Sequence, residues 1–162
     1  MALIIGIDPG KTGAVAVILT GNPPVVYVIR DTPILNGEYD IIGMANMLEN
    51  IGEFYQPDGV FIEKVHSMPG QGVASMFNFG MGYGMWLGVI AALKLPYSLV
   101  TPQSWKKELM EGKKEKDDAR MRAMELYPKA HDLLYRKKDI GRADALLIAE
   151  YGRRKLYGNN KL

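Results

Sequence analysis

The sequence contains no cysteine and only two histidines in 162 residues. The first absence excludes disulfides and thiolate metal sites, and it suits a reducing compartment. The second leaves too few imidazoles for a histidine-rich zinc centre. Any metal must then be held by oxygen, which favours Mg²⁺ or Mn²⁺. A large excess of one charge is also missing. The net charge is only +2, so affinity for nucleic acid has to come from local patches. The opening MALIIGID has no basic segment and no small-residue cleavage site, and it is not read as a signal peptide. Long uncharged runs are scarce as well. The exception is MFNFGMGYGMWLGVIAAL, 18 residues at 76–93 that include four glycines and Asn78. Its glycines and soluble-looking flanks point to a core helix rather than a membrane span.

What is present describes an ordinary globule. With 48% apolar and 23% charged residues, the length suits one domain spanning 1–162. Residues 2–8, 14–20 and 25–31 read as three strands separated by the turn signals DPGKTG and GNPP, an antiparallel meander. Apolar residues at Ile42, Ala45, Leu48, Ile51 and Tyr55 predict a helix over 39–56. A strand over 58–64 ends near Glu63. A Gly/Pro loop at 67–72 leads to a helix reaching Leu95. A fifth strand over 97–102 is followed by a short helix from about Pro102. Asp117 or Asp118 is the expected cap of a helix over 119–127, and a final helix covers about 141–156. The order βββ-α-β-α-β-α-α-α predicts an α/β fold with a mixed five-stranded sheet and helices on both faces.

The chemistry-bearing residues are acids at element ends. Asp8 ends the first strand, Glu63 the fourth, and Asp144 sits beside the apolar stripe Ala143, Leu147, Tyr151 of the last helix. Each acid has a plain explanation: a turn cap for Asp8, a surface charge for Glu63, solvation for Asp144. PGKTG looks like part of a phosphate-binding loop, but Ile5 stands where that motif needs glycine, and a strand follows instead of a helix. Three carboxylates converging on one spot would repel unless cations lay between them. Such a cluster suits two divalent ions about 3.5–4 Å apart that activate a water and stabilise a leaving oxygen in phosphoryl chemistry.

These residues carry a resemblance. IGIDPG followed by GAVAV, VFIEKVH, LVTPQSWKK with EKDDAR, and GRADALLIAEYG resemble, in order, the motifs of the RuvC-type Holliday-junction resolvases, above all their phage and chloroplast branch. The resemblance covers most of the chain. It implies a ribonuclease H-like fold and a Mg²⁺-dependent endodeoxyribonuclease with two ions per site, for which Mn²⁺ substitutes. Asp8, Glu63 and Asp144 would be metal ligands and catalytic residues. Many members carry another acid or a histidine three or four residues before the helix acid, where this chain has Gly141 and Ile140. Asp139 is the nearest acid, five residues away, and serves either as a fourth ligand from a pre-helix loop or as a helix cap. The implied reaction is paired, symmetric nicking of a four-way junction, leaving 5′-phosphate and 3′-hydroxyl ends. The rival readings are a nuclease acting on RNA or an RNA–DNA hybrid, an actin-like ATP-binding protein, and a non-catalytic junction-binding protein. The implied setting is the cytoplasm of a bacterium or of a phage-infected host.

Basic residues support a DNA partner. Lys106, Lys107, Lys113, Lys114 and Lys116 cluster beside Trp105, while RKK at 136–138, Arg142 and RRK at 153–155 flank the helix acid. A solvated charged face is the ordinary meaning of such runs. Around a metal site they would hold a phosphate backbone, with Lys106 and Lys116 the lysines the resemblance points to. By the same analogy His66, in the loop after Glu63, would insert near the junction centre. Two symmetric nicks imply a two-fold homodimer. The glycine- and methionine-rich helix at 76–93 suits either the core or the dimer interface.

Overall fold

The computed structural model describes residues 1–158; the last four residues of the expected domain, 159–162, lie outside the described residues. The chain opens with strands β1 (Leu3–Asp8), β2 (Ala14–Leu19) and β3 (Val25–Asp31), then a small hairpin of β4 (Ile34–Leu35) and β5 (Glu38–Tyr39). Helix α1 (Ile41–Phe54), strand β6 (Pro57–Glu63), helix α2 (Val73–Ala92) and strand β7 (Tyr97–Val100) follow. Four α-helices and two 3₁₀ turns complete it: α3 (Pro102–Leu109), α4 (Lys116–Leu126), α5 (His131–Leu134), a 3₁₀ turn before and after α5, and α6 (Ile140–Tyr157).

The five long strands form one sheet in the order β3-β2-β1-β6-β7. β1 pairs antiparallel with β2 and parallel with β6; β2–β3 is antiparallel and β6–β7 parallel. The mixed five-stranded sheet expected from the sequence is therefore present. The β4–β5 hairpin and the short turns between α4 and α6 carry no long apolar period and were not predicted. Helix α4 begins earlier than expected. Glu115 takes its N-cap position and Asp118 accepts from the Glu115 N–H at 2.9 Å, so Lys116 falls in the first turn.

β1 and β2 are buried on both faces, which explains their unbroken apolar runs. Alternation along β1 assigns side chains to two layers. Leu3, Ile5 and Ile7 pack with Met44, Leu48, Trp86 and Ile90 of α1 and α2. Ile4 packs on the other face with Trp105 and Leu109 of α3 and with Ala145 through Ala149 of α6. Gly6 lies on that second face. A Cβ there would come within 2.2 Å of the Ala145 carbonyl oxygen and 2.4 Å of the Ala149 nitrogen. Helix α6 thus lies directly on the backbone of β1.

The helix expected over 76–95 is a core element on one side only. Gly82, Trp86, Val89 and Ile90 are buried, whereas Val73 is 82% and Phe77 69% exposed. α2 is long and apolar enough to cross a membrane by length and composition alone, but its buried face is seated on the sheet.

The approach at Gly6 yields the first prediction. Gly6→Ala forces α6 off the sheet against rigid backbone and costs about 3 kcal/mol, the upper end of the penalty for overpacking. The urea midpoint falls accordingly with the m-value unchanged; a midpoint equal to wild type would show that α6 can yield at this point.

Candidate active site

Asp8 follows Gly6 on the face of β1 that meets α6. In the parallel pairing Gly6 lies opposite Phe61 and Ile7 opposite Ile62, so Asp8 and Glu63 come next on adjoining strands and on the same face. Asp144 arrives from the first turns of α6, one residue before the Ala145 that touches Gly6. The three acids line one cavity of about 590 Å³. The remainder of its wall includes Thr12, Phe79, Met110, Ile140 and Gly141, with Lys106, Lys113, Lys114, Lys116, Lys137 and Lys138 around it.

Electrostatics separates these acids from the rest. Burial pushes the Asp8 carboxyl well above the ordinary carboxylate range, and repulsion from Asp144 and Glu63 adds to it, with Lys106 opposing. Burial likewise raises Asp144, to about 7, with Glu63 raising it further and Lys106 pulling it down. Glu63 is raised by burial too, against the lowering effect of a hydrogen bond from Trp105 and the charges of Lys106 and His66. Three buried acids, two of them raised further by carboxylate neighbours, face a common space with too little positive charge in it.

The donor set fits hard divalent cations, being oxygen only, charged and desolvated. Among the described residues no three acids or imidazoles close to the span of a single ion. The acids therefore line an open cavity rather than a tight cage.

Several expected residues lie elsewhere. Asp139 is not in the cavity wall: it is 2% exposed, and its carboxylate accepts from Arg136 Nη2 at 2.8 Å, from Arg136 Nε, and from the Arg136 backbone N–H at 3.0 Å. Those bonds hold it below the usual carboxylate range despite burial, and they engage it in capping the 3₁₀ turn before α6, outside the cavity wall. Gly141 offers no room for a fourth acid, since a Cβ there would meet the Thr12 carbonyl oxygen at 2.1 Å. Arg142 is also not free: it forms a two-bond pair with Asp31 of β3 at 2.6 and 2.8 Å. Lys107 is exposed on α3 but points outside the cavity wall. His66 lines a neighbouring cavity of about 150 Å³, and Phe79 forms the wall between the two.

The basic run at 153–155 is structural. Arg153 and Arg154 both donate to Glu150, which is fully buried and also accepts from the Tyr127 hydroxyl, while Lys155 pairs with Glu108 at 2.9 Å. The run at 136–138 divides: Arg136 holds Asp139, whereas Lys137 and Lys138 reach the cavity. Their flanking of the helix acid was the available signal. Thr12 and Phe79 had none.

The mixed five-stranded sheet thus ends in three carboxylates ringed by lysines. Comparison with known proteins gives the kin. No family model matches the chain. Over 92 residues it is 33% identical to the chloroplastic Holliday junction resolvase MOC1 of Chlamydomonas reinhardtii; the match takes in 56% of this chain but only 10% of that longer protein. Over 151 residues it is 28% identical to the crossover junction endodeoxyribonuclease RuvC of Corynebacterium diphtheriae, covering 90% of each. The Thermus thermophilus RuvC structure in complex with Holliday junction substrate superposes with a TM-score of 0.68 at 16% identity, covering 98% of both chains. The chain is thus similar in sequence to two proteins named as junction-cutting enzymes, and in fold to RuvC.

The raised acids set a pH dependence. Asp144 and Asp8 retain protons in the folded state that the unfolded chain has already released, so folding stability falls as pH rises from about 4 to about 7. Without metal, calorimetry should give a higher melting temperature at pH 5 than at pH 8, and Mg²⁺ should raise it far more at pH 8. Asp144→Asn should flatten both trends; an unchanged slope would mean that Asp144 retains no extra proton in the folded protein.

Proposed function

We propose that the chain is a divalent-metal-dependent endonuclease that resolves four-way DNA junctions as a homodimer. The observation that carries this reading is the convergence of Asp8, Glu63 and Asp144 on one lysine-rimmed cavity. The kinship with proteins named as junction resolvases supports it. Asp8, Glu63 and Asp144 would hold two Mg²⁺ ions, or Mn²⁺ in their place. Divalent ions bound there supply Lewis-acid polarisation and neutralise charge at the phosphate. Lys106 presents a cation at the same place, where it favours the charge that builds on the phosphoryl oxygens. Water adds to phosphorus and the bond to the 3′-oxygen breaks, leaving 5′-phosphate and 3′-hydroxyl ends.

Lys113, Lys114, Lys116, Lys137 and Lys138 form the rim on which the backbone of one DNA strand would lie. His66, in the loop directly after the Glu63 strand, would meet the bases at the branch point, where pairs are already strained.

One cavity cuts one strand, and resolution needs two related cuts, which a two-fold dimer supplies. Helix α2 offers the surface. Gly80, Gly84 and Gly88 recur every four residues along it, and a Cβ at any of them meets nothing within 4 Å. Met85 and Val89 of α2, Leu93 just after it and Ile41 of α1 line the groove beside Gly84 and Gly88.

Incubating a labelled synthetic junction with and without Mg²⁺ tests the activity. Paired, ligatable nicks only with Mg²⁺, and none from Asp8→Asn although that variant still binds the junction, are expected. Preferential cleavage of an RNA–DNA hybrid would overturn the substrate, and full activity in Asp8→Asn would overturn the mechanism. For the dimer, sedimentation of Gly84→Trp is the test: a Cβ at Gly84 meets nothing within 4 Å, and the variant, its fold checked by circular dichroism, should run as a monomer where wild type runs as a dimer. A dimeric Gly84→Trp would move the interface off α2.

A further inference from the structure

Trp105 is fully buried in α3, yet its one polar atom is not spent on the core. The indole Nε1–H donates to Glu63 Oε2 at 2.6 Å across 42 residues of sequence. This is a short, charge-assisted bond, and it fixes the direction of the carboxylate while leaving Oε1 free. The contrast with the other buried indole is informative. Trp86 is just as buried, and its Nε1 has no partner. Burial of tryptophan in this fold therefore does not by itself demand an acceptor. The ring of Trp105 does a second thing: the Lys106 ammonium lies 5.3 Å from its centroid, in the range of a cation–π contact. One rigid side chain thus touches both an acid and the lysine that share the cavity.

Glu63 ends β6, while Lys106 sits on α3, the helix that follows β7, the strand paired with β6. Without a tie, a glutamate with three rotatable bonds would sample several directions, the more so because Asp8 and Asp144 repel it. Thr101 caps α3 through the Ser104 N–H, and Leu109 anchors its other end in the core, so the indole is presented from a fixed base.

We propose that Trp105 is a positioning residue that presets the Glu63 carboxylate, and with it Lys106, for divalent-cation binding. This rests on the endonuclease reading above. A partner that orients a ligating side chain typically changes metal affinity by about 10–100-fold when removed.

The test is Mn²⁺ binding by electron paramagnetic resonance on full-length protein, beside junction binding in Ca²⁺-free chelator and junction cleavage against Mg²⁺ concentration. Trp105→Phe keeps an aromatic ring under Lys106 and deletes the donor. It should raise the half-saturating Mn²⁺ concentration about tenfold and shift the Mg²⁺ requirement for cleavage by a similar factor, with metal-free junction affinity unchanged. If circular dichroism shows that the phenylalanine variant is unfolded, benzothienylalanine at position 105 replaces the N–H by sulfur in the same shape and should give the same shift. Leu48→Ala, a destabilising truncation in α1 on the opposite face of the sheet, should leave the Mn²⁺ midpoint in place. Wild-type Mn²⁺ affinity in a folded variant lacking the N–H would overturn the assignment of Trp105 alone. Wild-type protein that binds no Mn²⁺ and cuts no junction would overturn the endonuclease reading and this inference with it.

Discussion

Everything at the cavity depends on how closely α6 lies on β1. Gly6 is the point of contact, and its missing side chain lets the Ala145 carbonyl and the Ala149 nitrogen reach the strand backbone. Strand alternation then turns Asp8 toward the same helix, on which Asp144 comes directly before Ala145. The parallel register of β6 against β1 brings Glu63 alongside. Three acids distant in sequence meet because one helix can touch one strand. A second close contact, Gly141 against the Thr12 carbonyl, seats the start of the helix on the β1–β2 turn and leaves no room for a further acid there.

The fold treats its acids in two ways. Asp31, Asp117, Asp139 and Glu150 each hold an arginine in direct hydrogen bonds, and each sits below its ordinary range. Glu150 shows that burial alone does not raise an acid here, since Arg153, Tyr127 and Arg154 outweigh it. Asp8, Glu63 and Asp144 have no arginine. They have Lys106 nearby and one indole, and all three are pushed up. A guanidinium fork would satisfy these carboxylates and compete with any cation. Lysines, as point charges on flexible stems, surround the cavity without neutralising it.

The strand order, the mixed sheet and the acids at element ends were legible because they rest on local patterns. Two strands buried on both faces read as unbroken apolar runs, and a charged residue at the end of such a run is conspicuous. The pairings of arginine with acid were not legible. Asp139 and Arg142 carry the residue types of a ligand and a DNA contact, but Arg136 and Asp31 had already claimed them. Nothing in RRK at 153–155 distinguishes it from RKK at 136–138. The first run faces a buried glutamate, while two of the three residues in the second open onto the cavity.

The sequence by itself determined the long strands and helices and singled out Asp8, Glu63 and Asp144. Those follow from periodicity and from the cost of burying charge. Only the tertiary structure decided which charges remain unpaired, which face of α2 stays open, and that Trp105 spans the gap to Glu63. Pairing and exposure depend on what another segment brings within about 3 Å, and no local pattern encodes that distance.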